Sequence, residues 1–160
     1  MTDPEKRAVS ERLATLAEAA GLPTELVYLQ YWECSDGHIN PVKFEPMYCF
    51  QTLPHTVNNT VSCRKPVHPI MVGRDLTDTA VLLPLVEAYC AKQDMGYDMG
   101  RYAMREYRDD DGSNQIAQPT HFASVGYHAK NEWVKDGTDA MECLAQALCA
   151  AMESEKGASS

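Results

Sequence analysis

The sequence predicts an α+β fold in which an antiparallel sheet is covered by about three helices. Apolar residues recur with a helical period of about 3.6 residues in three separate stretches. Aromatic and β-branched stretches, typical of strands, lie between them. With 160 residues and 44% apolar content, the chain has the size and composition of one domain. We therefore expect a single domain over 1–156, followed by a frayed tail at 157–160.

Three amphipathic stretches predict the helices. The first spans about 4–20, and the second spans about 77–93. Pro84 lies inside the second stretch and has no amide hydrogen, so we expect a kink there or a later start of that helix. The third stretch, about 138–154, has the broadest apolar face and is expected to cover the sheet.

The expected strands lie between these helices. Residues 26–32 are aromatic and β-branched, and 42–45 alternate in polarity and are predicted to continue as a strand through 47–50. Residues 101–107 and 121–128 are predicted to form a hairpin around an acidic turn. Residues 33–75 are expected to be a long segment within the domain that contains proline, cysteine and histidine, and 51–75 within it is expected to be a long ordered loop or an inserted arm.

The charge of the chain argues against several classes of partner. Lys and Arg number 14 and Asp and Glu number 23, which gives a net charge of −9. Nucleic-acid affinity depends on cations that replace counterions, so we expect no direct nucleic-acid binding.

No apolar run approaches the ~20 residues that a membrane span requires. The first residues also lack the apolar core of a secretory signal, so we expect a cytoplasmic protein whose six cysteines are free thiols.

Potential metal ligands concentrate in the central segment. Two pairs, Cys34 with His38 and Cys63 with His68, could hold a zinc ion, which prefers four Cys or His ligands. No two cysteines are closer than six residues, however, whereas zinc knuckles usually place them about two to four apart. We therefore expect free thiols beside surface histidines, with no metal and no cofactor, and keep zinc as the alternative. The same segment also contains Cys49 and His55.

Catalytic chemistry has weaker support. Cys63 is followed by Arg64, Lys65 and His68, which could lower the pKa of a nucleophilic thiol. No glycine-rich phosphate motif is present, and the acidic run at 109–111 lacks the spacing of a calcium loop. We predict no catalytic residues, and a small zinc- or cysteine-dependent enzyme is the alternative.

Aromatic and acidic side chains indicate a protein-binding surface. Tyr and Trp dominate the energetics of many interfaces, and a strand with aromatic residues on both faces must bury both or leave one for a partner. A protein with a net charge of −9 would be steered toward a basic groove. We predict that the partner-binding residues are Tyr31, Trp32, Tyr48, Asp109, Asp110 and Asp111.

Two stretches, in this order, resemble the motifs of the phage ABA-sandwich domain family of small phage and prophage proteins. Asp75–Glu87 resembles its Asp-capped central helix, and Thr138–Glu153 resembles its last helix, with Cys143 where the family often has a cysteine. The resemblance covers about residues 75–154 and implies a helix-covered sheet and a phage origin. It assigns no activity to particular residues.

These observations together predict a non-enzymatic, phage-encoded accessory protein that binds a host protein or complex in the bacterial cytoplasm. Inhibition of an antiviral defence complex is the concrete hypothesis, because complexes that handle nucleic acid expose basic grooves that attract an acidic protein. A structural homodimer of the virion or replication apparatus is a further alternative.

Overall fold

The structure is a computed structural model that describes residues 1–41, 44–56, 59–102, 106–108, 110–112, 114–116, 120–127 and 131–158. The helices are α1 (Asp3–Ala19), α2 (Thr79–Gln93) and α3 (Ala140–Ala158), and a short 3₁₀ helix covers Thr24–Leu26. The strands are β1 (Tyr28–Cys34), β2 (Ile39–Asn40), β3 (Thr52–Thr56), β4 (Asn59–Ser62), β5 (Val67–Gly73), β6 (Gly96–Arg101), β7 (Glu106–Arg108), β8 (Asn114–Ile116), β9 (His121–Tyr127) and β10 (Trp133–Gly137). The predicted α+β class with antiparallel pairing is confirmed.

The chain divides into two compact units. The first, which we call the helical unit, comprises Met1–Val27 and Arg74–Ser160. The second, which we call the β unit, is Tyr28–Gly73. The segment predicted over 33–75 accounts for most of the β unit. The long ordered loop or arm predicted over 51–75 is wrong, because β3, β4 and β5 lie in this stretch.

The helical unit is built on a three-stranded antiparallel sheet with the order β10-β9-β6. Helix α3 packs across all three strands, and both α1 and α2 contact α3. Leu144, Leu148 and Met152 on its inner face are buried, as the apolar pattern predicts. A bulge at Gly126 interrupts β9 opposite β6, and its φ of +101° is a conformation that glycine adopts readily.

The helix boundaries agree closely with the sequence pattern. Helix α2 begins at Thr79, two positions later than predicted, because the Asp78 side chain caps it by accepting a 2.8 Å hydrogen bond from the amide of Ala80. The helix then continues through Pro84 to Gln93. Helix α3 includes 157–158 of the predicted frayed tail, and residues 159–160 lie outside the described part of the chain.

The strand predictions need two corrections. Strand β1 begins at Tyr28 rather than at residue 26, because Thr24–Leu26 form the 3₁₀ helix. Residues 44–50 contain no strand, although Tyr48 forms an isolated bridge with Pro66, and 42–43 lie outside the described residues. Prolines at 41 and 46 lack the amide hydrogen that a continuous ladder requires.

The predicted hairpin around the acidic turn is confirmed among the described residues. Strands β6 and β9 pair antiparallel, with Arg101 opposite His121. Residues 106–108 pair, as β7, with β8, and the pairing of Glu106 with Ile116 has the same register as that of Arg101 with His121. Residues 103–105 and 128 of the predicted strands lie outside the described residues.

The β unit contains two antiparallel sheets. Strand β1 lies between β2 and β5, and it pairs with β5 along its whole length. Strands β3 and β4 form a second hairpin. Among the described residues of this unit, the buried side chains are Trp32, Cys34, Asn40, Cys49 and Cys63. Three of the five are cysteines, so the described part of this small unit has little ordinary apolar core.

The core of the helical unit gives a first prediction. Replacing the fully buried Leu148 by alanine should lower the free energy of unfolding of this unit by about 2–5 kcal/mol, because it leaves a cavity under α3. Val134→Ala is the control in the same unit, since Val134 is 48% exposed, and should cost less than about 1 kcal/mol. Urea denaturation followed by helical circular dichroism measures both, because α1, α2 and α3 all belong to this unit. Equal losses in the two variants would contradict the packing described.

Candidate metal centre

Four potential metal ligands of the β unit converge on one point. The ligand atoms of Cys34, His38, Cys49 and Cys63 all lie within 4.8 Å of one another. The cysteines are only 1%, 2% and 6% exposed, in chain order, and His38 is half-buried. We refer to these four residues as the Cys3His cluster.

The first hairpin supplies Cys34 and His38. The Gly37 amide donates a 2.9 Å hydrogen bond to the Cys34 carbonyl, and the Cys34 amide donates a 3.2 Å hydrogen bond to the His38 carbonyl. Gly37 has a φ of +80°, and this residue in the left-handed region completes the three-residue turn, 35–37, between Cys34 and His38. This turn places the Cys34 Sγ 3.3 Å from the His38 Nδ1.

The second hairpin supplies Cys49 and Cys63 from its opposite arms. The Cys49 amide donates to the Lys65 carbonyl at 2.9 Å, and the Cys63 amide donates to the Gln51 carbonyl at 2.8 Å. These bonds continue the register in which β3 pairs with β4. Cys49 and Cys63 are therefore diagonal neighbours on one face of the hairpin.

The spacing of the cluster fits a tetrahedral zinc site. Zn–S bonds of about 2.3 Å and Zn–N bonds of about 2.0–2.1 Å give tetrahedral edges of roughly 3.6–3.8 Å. The distance from Cys34 Sγ to Cys63 Sγ is 3.9 Å, as is that from Cys49 Sγ to His38 Nδ1. These two distances are slightly longer than the expected edges, and the 3.3 Å between Cys34 Sγ and His38 Nδ1 is slightly shorter. Three thiolates and one imidazole are a donor set typical of structural zinc.

The pKa values of two thiols of the cluster, Cys34 and Cys63, are shifted in opposite directions. Burial disfavours the Cys34 thiolate, but the backbone amides of Asp36 and His38 and the neighbouring cysteines outweigh it and lower the pKa of Cys34 to about 7. The Lys65 amide favours the Cys63 thiolate, but burial and the neighbouring Cys34 and Cys49 outweigh it and raise the pKa of Cys63. Ionisation of one thiol therefore makes ionisation of its neighbour less favourable. A bound cation would stabilise both thiolates.

Polar side chains around the cluster connect the two hairpins. The fully buried Asn40 donates its side-chain amide to the Trp32 and His38 carbonyls, each at 3.2 Å, and lies 3.5 Å from the Cys49 Sγ. Its Oδ1 accepts a 3.2 Å hydrogen bond from the Phe50 amide. An N–H group directed at a ligating sulfur is typical of the residues that orient metal ligands.

An ion pair makes a second connection at the rim of the cluster. The Lys65 ammonium donates to Asp36 Oδ1 at 2.6 Å and joins the turn of the first hairpin to an arm of the second. The same pairing lowers the pKa of Asp36. Because both side chains are partly exposed, this pair contributes position more than stability.

The sequence analysis identified three of these four residues as a zinc alternative but paired them with the wrong fourth. His68 lies on β5 opposite Glu33, and its Nε2 is 3.4 Å from the Glu33 carboxylate. Cys49, rather than His68, is the fourth residue of the cluster. The side chain of His55 lies outside the described residues. The expectation of free thiols without a metal stays a prediction, and the zinc alternative is supported by the four ligand atoms that the fold brings together.

The predicted partner-binding residues have different surroundings. Tyr48 is 54% exposed and Tyr31 is half-buried, whereas Trp32 is only 7% exposed. Trp32 therefore offers little surface to a partner, and the partner-binding role of these residues stays a prediction. Asp110 and Asp111 are exposed between β7 and β8, and Asp109 lies outside the described residues.

Comparison with known proteins found no matching family model, no similar curated protein and no similar solved structure. The resemblance of 75–154 to the phage ABA-sandwich family stays a prediction. Within the described ranges, no helix has both the length and the apolar character needed to cross a membrane.

The two histidines provide a direct test of the cluster. His38→Ala should lose bound zinc or weaken its binding by at least about tenfold, because it removes one of four ligands. His68→Ala should leave zinc binding unchanged, because His68 pairs with Glu33 instead. Metal analysis and competition with a colorimetric chelator measure both. Loss of zinc in His68→Ala with retention in His38→Ala would contradict this ligand set.

Proposed function

We propose that this chain is a non-enzymatic binding protein whose β unit is organised by a structural zinc ion. The observation that carries the proposal is the convergence of Cys34, His38, Cys49 and Cys63 from two hairpins, with ligand atoms all within 4.8 Å of one another. Their chemistry favours zinc, because calcium and magnesium prefer oxygen ligands while thiolates and imidazole suit zinc.

The completeness of the ligand set favours a structural role over a catalytic one. Catalytic zinc usually has three protein ligands and an open position, whereas this cluster supplies all four. Its cysteines are at most 6% exposed, which leaves little access for a substrate. The alternative of a Cys63 nucleophile is also disfavoured, because a reactive thiol needs exposure and a lowered pKa while that of Cys63 is raised.

The composition of the β unit supports a stabilising role for the ion. Its buried described side chains are three thiols, one tryptophan and one asparagine. Units of this size usually need a metal or disulfides when their apolar core is small. All six cysteines of the chain lie among the described residues and are free, so metal ligation is the available cross-link.

Exposed apolar side chains support the binding role. Where exposure is described, most of the large exposed hydrophobic residues belong to the β unit, namely Leu29, Ile39, Phe44, Met47, Tyr48, Phe50 and Met71. A concentration of exposed apolar surface on one unit is typical of an interaction site. A host defence complex as partner, and a homodimer as the alternative assembly, stay predictions.

Removal of zinc tests the proposed role. A strong chelator should abolish hydrogen-exchange protection of the amides in β1 and β5, because the β unit loses the ion that joins its hairpins. Protection in α3 should persist, since α3 belongs to the helical unit and has its own buried core. Exchange followed by mass spectrometry of peptides from both units measures the difference.

Two outcomes would contradict the proposal. One is purified protein that contains no zinc and binds none on addition. The other is zinc-bound protein whose β-unit protection is unaffected by the chelator.

Cys90→Ala is the matched control for Cys49→Ala, since Cys90 is also buried but lies on α2. Only Cys49→Ala should reproduce the effect of chelation.

A further inference from the structure

The second hairpin has a face opposite the metal cluster. Cys49 and Cys63 direct their thiols into the cluster, and neighbouring residues of an extended chain point to opposite faces. Tyr48 and Phe50, which flank Cys49, therefore share the other face with Ser62 and Arg64, which flank Cys63. The register of this hairpin places Phe50 across from Arg64.

An open groove occupies this face. It has a volume of about 480 Å³ and is lined by Tyr48, Cys49, Phe50, Ser62 and Arg64. The two aromatic side chains are 54% and 48% exposed, respectively. The connection that leads into Tyr48 continues the apolar surface with Phe44 and Met47, which are 71% and 78% exposed.

Arg64 gives the groove a positive charge. No carboxylate in the described part of the chain lies within ion-pair distance of Arg64, whereas the adjacent Lys65 is paired with Asp36 at 2.6 Å. A guanidinium group binds carboxylates through two parallel hydrogen bonds. Arginine and tyrosine are also the residue types that contribute most at protein interfaces.

We propose that this groove docks a segment of a partner protein that carries a large apolar side chain next to an Asp or Glu. The inference rests on the proposed function, because the metal ion would fix the backbone at Cys49 and Cys63 and so shape the groove in advance. A protein partner is favoured over nucleic acid. The Lys and Arg residues of the β unit are balanced by Glu33, Asp36 and Glu45, so the net charge of −9 resides in the helical unit.

Selection from a displayed library of random peptides tests the groove on the full-length, zinc-loaded protein. Enriched peptides should combine an aromatic or large aliphatic residue with a nearby acidic residue. Arg64→Glu should reverse the charge preference toward basic peptides, because it replaces the cation opposite Phe50 with an anion. Arg101→Glu, on β6 of the helical unit, makes the same charge change and should leave the preference unchanged.

The apolar half of the groove is tested by affinity. Phe50→Ala should weaken the binding of an enriched peptide by about tenfold or more. Val134→Ala is the control, because Val134 is equally exposed, at 48%, but lies on β10 of the helical unit. Zinc content is measured for every variant, and each should retain the wild-type amount.

Several results would overturn the docking proposal. These are no enrichment, enrichment that is indifferent to Arg64→Glu, or tighter binding of a single-stranded oligonucleotide than of any enriched peptide. Failure of the metal proposal is distinguishable from these results. If protein without zinc still selects acidic peptides in an Arg64-dependent way, the docking proposal stands and the structural zinc ion is contradicted.

Discussion

The β unit depends on bringing three thiols and one imidazole together in its interior. Burial of thiolates is costly unless a cation compensates them, and the raised pKa of Cys63 reflects that cost. The lowered pKa of Cys34, near 7, shows that backbone amides already favour one thiolate. The proposed zinc ion with four protein ligands would resolve this conflict and join two hairpins whose described residues share little apolar core.

The proposed ligation would also fix the opposite surface of the second hairpin. Successive side chains of an extended chain point to opposite faces, so Cys49 points into the cluster while its neighbours Tyr48 and Phe50 point to the surface. A short segment can therefore hold exposed aromatic side chains without a hydrophobic core beneath them. In this account, the metal contributes to binding by fixing shape and leaves the chemistry of recognition to aromatic rings and Arg64.

The sequence predicted the helices better than the metal site. Helical periodicity is local, so α1 and α3 could be located from spacing, and the Asp78 cap explains the short shift of α2. The ligand set depends on which hairpin arms pair, and spacing along the chain does not reveal this. Cys49 and Cys63 are far apart in sequence yet diagonal across a ladder, whereas His68 lies nearer to Cys63 but is held opposite Glu33 by the register of β5.

X-ray absorption at the zinc edge, on the purified full-length protein, tests the central claim most directly. The account predicts about one zinc per chain, with three sulfur ligands at about 2.3 Å and one nitrogen at about 2.0 Å. A first shell made only of oxygen and nitrogen, or a protein that takes up no zinc, would contradict it.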